Sequence, residues 1–333
     1  MFARLLLALC LALTAPFARA APPASCGGRD LIATLSPAER AALIGSDPFA
    51  QGNFWTATRG TTHLTLIGTY HLNDPRFAAI LARLTPILTQ ASLLMVEAGP
   101  AEEEHLKADM AAHPERLINT TGPTLPEVLT APEWRTLSTA LKARGIPPFM
   151  AAKFQPWYIS VLLDIPPCNL AANAKGPLGL DGQLIALAAA HAIPITALEP
   201  YDTAFRIFAT MSEARQLDML RLSLVGDSPS AMADMATTTA NAYFAGEHRL
   251  LWEFGKAEAL KTPGADPTKT RANFDLIEAA LLTDRNRAWL PRMIAATTGK
   301  TAVIAFGAAH LGGPNGVLNL LQQAGFTLTP LTP

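Results

Sequence analysis

Five short runs of apolar or β-branched residues are spaced along the chain, at 54–58, 63–67, 93–96, 193–198 and 301–306. Between them lie longer stretches with helical spacing, at 75–91, 101–117, 125–144 and 182–192. The first two runs flank Arg59-Gly60-Thr61-Thr62, which predicts a hairpin. The later runs are continuously apolar, as expected of strands covered on both faces of a parallel sheet. Ser36, Pro37 and Glu39 predict a helix start, with Ser as cap, Pro in the first turn and Glu reaching back to the cap. Residues 202–293 read almost wholly as helix, amphipathic around Phe205, Phe208 and Met211 and then Leu217, Leu220 and Leu222. The breaks in that block fall at 226–229 and 262–266, and it is expected to form a helical cap. The pattern predicts an α/β fold with a central mixed, largely parallel sheet and helices around it.

Composition narrows the function. Of 333 residues, 50% are hydrophobic and 16% charged, which suits a packed globular chain. A net charge of -1 offers no field for phosphate backbones, so nucleic acid is not an expected partner. The first 20 residues combine an early Arg4, an apolar run from Leu5 to Thr14 and small residues at Ala18 and Ala20, the layout of a cleavable signal peptide. The run is too short to span a bilayer core of about 30 Å. The mature protein is therefore expected to be periplasmic or secreted, without stable membrane insertion. Cleavage leaves 24 basic against 27 acidic side chains, a net charge of -3. Residues 21–35 read as an N-terminal arm and 36–333 as one domain.

Cys10 leaves with the signal, so the mature chain keeps Cys26 and Cys168. In an oxidising compartment this pair can close a long loop, for about 4 kcal/mol on the chain-entropy account, or remain two separate thiols. A lipidation reading at Cys10 or Cys26 is disfavoured, because Cys10 lies inside the apolar run and Pro23 stands where a lipobox needs Leu.

One internal echo carries chemistry. Gly68-Thr69-Tyr70-His71 and Gly307-Ala308-Ala309-His310 each follow an apolar strand with Gly-x-x-His. Glycine would let the chain turn sharply out of the sheet, holding the His near the sheet edge where open α/β folds keep their sites. Two further strands close on an acid, at Val96-Glu97 and Leu198-Glu199. A half-buried carboxylate needs a cation. His71, His310, Glu97 and Glu199 together form a nitrogen and oxygen donor set suited to a divalent ion such as Zn, Mn or Co, whose natural chemistry is hydrolysis. The competing reading is structural: hydrogen-bonded histidines, and acids paired with Arg or capping helices. His63, His105, His113, His191 and His248 sit at a strand start or on helical stretches and receive no function.

From Phe54 to Thr329 these residues resemble the TraB/GumN family, whose relatives include the Tiki proteases and, more remotely, the erythromycin esterase and haem-binding ChaN-like proteins. The resemblance runs through Phe54-Trp55, the two Gly-x-x-His motifs, Val96-Glu97, Lys153-Phe154-Gln155-Pro156-Trp157, Gly179-Leu180-Asp181, Ala197-Leu198-Glu199, Arg285-Asn286 and Leu311-Gly312-Gly313-Pro314-Asn315. It departs at Tyr70 and Ala309, where Ile and Gly are frequent. What it implies is a fold of two related halves, each giving one His and one strand-end Glu, and metal-dependent proteolysis. On that reading His71 and His310 are ligands, one of Glu97 and Glu199 is a ligand and the other the base that deprotonates bound water. Arg285 would pair with a strand-end Glu, hold a substrate carboxylate, or form an ordinary surface ion pair. Asp181 would cap a helix or support a ligating His, and Pro156 and Trp157 would pack the core or line a cleft. The alternative is an exported binding protein that sequesters a peptide or small hydrophobic ligand, and haem handling is a third and weaker analogy. Substrate, metal identity and oligomeric state are left open.

Overall fold

The structure is a computed structural model that describes residues 27–173, 179–225, 228–261 and 266–332. The expected signal segment, residues 1–20, and Cys26 lie outside these residues, whereas Cys168 is disulfide-bonded. The chain divides into two compact units.

The larger unit comprises Asp30–Gly99, Pro177–Pro200 and Thr237–Pro333 and holds the sheet. Its strands are β1 (Phe54–Arg59), β2 (Thr62–Thr69), β3 (Leu94–Val96), β4 (Ile195–Ala197), β5 (Thr301–Gly307) and β6 (Thr327–Pro330), in the order β4-β3-β5-β2-β1-β6. β4, β3, β5 and β2 run parallel, while β1 pairs antiparallel with both β2 and β6. The fold is thus α/β with a mixed, mostly parallel sheet, as the apolar runs predict. The hairpin register places Arg59 opposite Thr62, so the turn is two residues tighter than the spacing suggests. β3 is wholly buried and β5 is buried from Ala302 onward, which is why both read as unbroken apolar runs. β6 carries no such signal: it is a mostly exposed edge strand of alternating Thr, ending in Pro.

Helices Phe77–Thr89, Leu180–Ala190, Asp284–Thr297 and Val317–Gln323 supply Leu84, Leu88, Leu184, Trp289, Met293, Leu318 and Leu321 to the core built on this sheet. Ser36 and Glu39 form the expected reciprocal cap on the helix Pro37–Ile44.

The smaller unit contains the described residues of Met1–Arg29, Pro100–Gly176 and Tyr201–Ala236. The predicted helix 125–144 is two helices, Leu125–Val128 and Ala131–Ala143. Thr130 and Glu133 make a second capping box there, and Pro132 fits only in a first helical turn, so the chain restarts instead of continuing. Trp157 stacks on Phe208 with ring centroids 4.5 Å apart and is buried, and with Phe205 it lines an open cavity of about 410 Å³. The helical block at 202–293 is shared between the two units, which part at Ala236 and Thr237. Among the described residues no helix is long and apolar enough to cross a membrane.

Candidate functional site

Because β2, β3, β4 and β5 are parallel, their carboxyl ends share one edge of the sheet. His71, Glu97, Glu199 and His310 each lie within a few residues of one of those ends, all in the larger unit. The glycines of the two Gly-x-x-His motifs do not serve the sharp turn expected of them, since neither has a positive φ. They are needed for close approach. A Cβ on Gly68 would stand 2.5 Å from Leu311 Cδ1, and one on Gly307 would stand 3.1 Å from His71 Nε2 and 3.3 Å from Glu97 Oε1.

Arg285 is the hub. Its Nε and Nη2 donate to Glu199 Oε2 and Oε1 at 2.8 and 2.7 Å, a bidentate fork. Nη2 also donates to Glu97 Oε2, and Nη1 donates to the Leu281 carbonyl at 3.1 Å. That carbonyl lies in a π-helical turn, Ala279–Thr283, a feature that recurs at functional sites. The guanidinium is buried and lies 4.8 Å from the Trp289 ring centroid. Of the roles left open for it, pairing with a strand-end Glu is observed, and it holds both.

One helical turn supplies the support. Trp289 donates its indole N–H to Glu199 Oε2 at 2.9 Å. Asn286 donates to the Asn315 carbonyl at 2.9 Å, which turns its side-chain oxygen toward His310 Nδ1 at 2.6 Å. Nδ1 therefore carries the proton, and Nε2 is the acceptor that faces Arg285 Nη1 at 3.3 Å. His310 is fully buried and its ring lies 4.4 Å from that of Trp289.

His71 is arranged differently. Its Nδ1 is 3.2 Å from Asp181 Oδ1, within ion-pair range but misaligned for a hydrogen bond, so both ring nitrogens and that oxygen lack hydrogen-bond partners. Asp181 sits in the first turn of Leu180–Ala190 and makes no cap. It is brought to His71 because Leu180 N donates to the Tyr70 carbonyl at 3.1 Å and Gly179 packs onto the His71 backbone too closely for any side chain. Tyr243 donates to the Gly68 carbonyl at 2.9 Å and stacks on Tyr70, fixing the approach from the other side.

The electrostatics separate the two histidines. Burial opposes a charge on His71, but Asp181 and then Glu97 outweigh it and raise its pKa to about 9. Burial and the neighbouring Arg285 lower His310 to about 3. Burial also works against an ionised Glu97, yet Arg285, the two histidines and the Gly307 N–H, 2.7 Å from Oε1, hold it at about 2. Glu199 is raised by burial, with Arg285 opposing. His248, given no function above, is a core histidine whose Nε2 lies 3.1 Å from the Phe49 carbonyl, and burial lowers its pKa to about 4.

All five residues named from the sequence, His71, Glu97, Glu199, Arg285 and His310, enter this cluster, in two groups. Glu199 and His310 face Arg285. His71 Nε2 and Glu97 Oε1 converge on the small space beside Gly307, where a polarised water fits between the two, and a cation fits only by displacing the proton that Asp181 and Glu97 hold on His71. Among the described residues no three His, Cys, Asp or Glu side chains form a metal-binding group. Trp289 was missed by sequence reasoning, and Asn286 was quoted without a role. The signal for Trp289 is helical, since four positions after Arg285 it shares that residue's face, whereas spacing alone does not mark Asn286, one position on.

No curated protein matches this chain. A family model does, over residues 53–330, which takes in every strand and every residue of the cluster. The chain belongs to the TraB/PrgY/gumN family.

Proposed function

We propose that this chain is an exported hydrolase, most simply a metal-dependent peptidase, that works at the space between His71 Nε2 and Glu97 Oε1. The observation that carries this reading is the pair of atoms itself. A strand-end imidazole with a free nitrogen and a strand-end carboxylate, both buried, bracket one small volume at 3.1 and 3.3 Å from the position of a Cβ on Gly307. Asp181 stands beside Nδ1, whereas Nε2 has no hydrogen-bond partner, and a buried structural histidine would satisfy it.

His71 and Glu97 would hold the divalent ion, Zn, Mn or Co, which would polarise a substrate carbonyl and acidify a bound water. Asp181 beside Nδ1 would fix the ring and its tautomer so that Nε2 stays turned to the site. Glu97 would also orient the water through Oε1, which the Gly307 N–H holds in place. Glu199 has both oxygens engaged by Arg285 and Trp289, so its part in this reading is to anchor the guanidinium that positions Glu97. Peptide as the substrate class follows from the likeness to Tiki proteases.

Purified mature protein incubated with a peptide library and added Mn or Co should cleave some members, and His71→Ala and Glu97→Gln should abolish that cleavage while remaining folded. Saturable peptide binding with no product under any added ion would favour the sequestering protein instead.

A further inference from the structure

We infer that Arg285 is the resident cation of this cluster and masks Glu199 and His310 from any metal that enters at His71 and Glu97. The inference uses the proposed metal pair only as the point of entry. Four donors stand at the strand ends, but the guanidinium lies among three of them. It takes both Glu199 oxygens and one Glu97 oxygen, and its Nη1 lies 3.3 Å from His310 Nε2. The His310 lone pair is aimed there by design of the neighbouring side chain, because Asn286 fixes the proton on Nδ1. His310 Nε2 is also 4.0 Å from Glu97 Oε1. A planar, always-charged fork can neutralise two carboxylates at once in a way a point charge cannot. The arrangement thus satisfies buried acids without a metal, and withholds two donors that would otherwise complete a four-ligand site.

The consequence is a latent site. Removing the guanidinium leaves Glu199, Glu97 and His310 facing one another without a cation, and a divalent ion is the species that fills that gap. The probe is Mn alone, titrated into chelator-stripped mature protein by calorimetry and followed in parallel by thermal melting. Arg285→Met, of similar length and apolar, should melt below the parent in chelator, recover on adding Mn, and bind Mn at least about 10-fold more tightly than the parent does. Adding Glu199→Gln to Arg285→Met should remove that gain. Arg285→Met binding Mn no more tightly than the parent, or keeping its gain with Glu199→Gln, would overturn the inference. Should Arg285→Met fail to fold, Arg285→Gln removes the charge but keeps a polar side chain. It should still bind Mn more tightly than the parent, and an unchanged affinity would overturn the inference equally. The two readings part cleanly: a parent that ignores Mn beside a variant that binds it removes the proposed cofactor and leaves the masking intact, whereas a parent that binds Mn as well as its variant does the reverse.

Discussion

Arg285 and Glu199 lie 86 positions apart in the sequence and meet in a two-bond fork of 2.8 and 2.7 Å at the carboxyl end of β4. The fork explains how an acid can close an apolar strand at the sheet edge. Glu199 and Glu97 share one guanidinium, so removing it strands two carboxylates at once. Arg285→Ala should therefore destabilise the fold by about 3–5 kcal/mol in metal-free buffer, and Arg285→Lys by less. Denaturant unfolding of the three proteins checks the order.

Gly307 gives a more local handle. Its substitution by Ala would put a methyl 3.1 Å from His71 Nε2 and 3.3 Å from Glu97 Oε1, inside the space assigned to the ion. The strand tolerates the backbone, since Gly307 has an ordinary negative φ of -51°. Gly307→Ala should keep its circular dichroism spectrum and most of its stability while losing at least about 10-fold in metal affinity. Unchanged affinity would move the working space elsewhere.

Asp181 meets the site at His71, 3.2 Å from its Nδ1. Partners of this kind typically contribute 10- to 100-fold to metal affinity or activity, so Asp181→Asn should fall in that range and Asp181→Glu should recover part of the loss. Side-by-side peptide hydrolysis and ion titration of these variants test the assignment.

His248 predicts a pH dependence independent of the site. Its folded pKa of about 4 lies below the ordinary value of 6.5, so the unfolded chain binds the extra proton. Stability should then fall as the pH drops from about 6.5 toward 4, by up to roughly 3 kcal/mol, and be indifferent to this group above 7. In His248→Gln that segment of the stability profile should flatten, which urea melts across the range will show.

Much of this architecture is legible before any coordinates. β3 and β5 announce themselves because strands buried on both faces tolerate little but apolar residues. The four strand-end side chains follow, because a polar residue closing such a run has nowhere to be but the edge. Other features resist that reading for physical reasons. β6 is short and mostly exposed, so no burial pattern marks it. The split between Leu125–Val128 and Ala131–Ala143 depends on a capping box inside a sequence that is otherwise helical throughout. The motif glycines read as turn formers, whereas their role is to leave room, which only the facing side chains reveal. Arg285 was recognisable as a partner for an acid, but its hold on two acids and its approach to His310 depend on the packing of one helix against four strand ends.

The central claim is that His71 and Glu97 form the working pair of a metal-dependent site. Equilibrium dialysis of chelator-stripped mature protein against Zn, Mn and Co tests it most directly. About one ion should bind per chain, lost in His71→Ala and in Glu97→Gln but retained in His248→Gln. No saturable ion in the parent protein, or the same ion retained by His71→Ala, would contradict it.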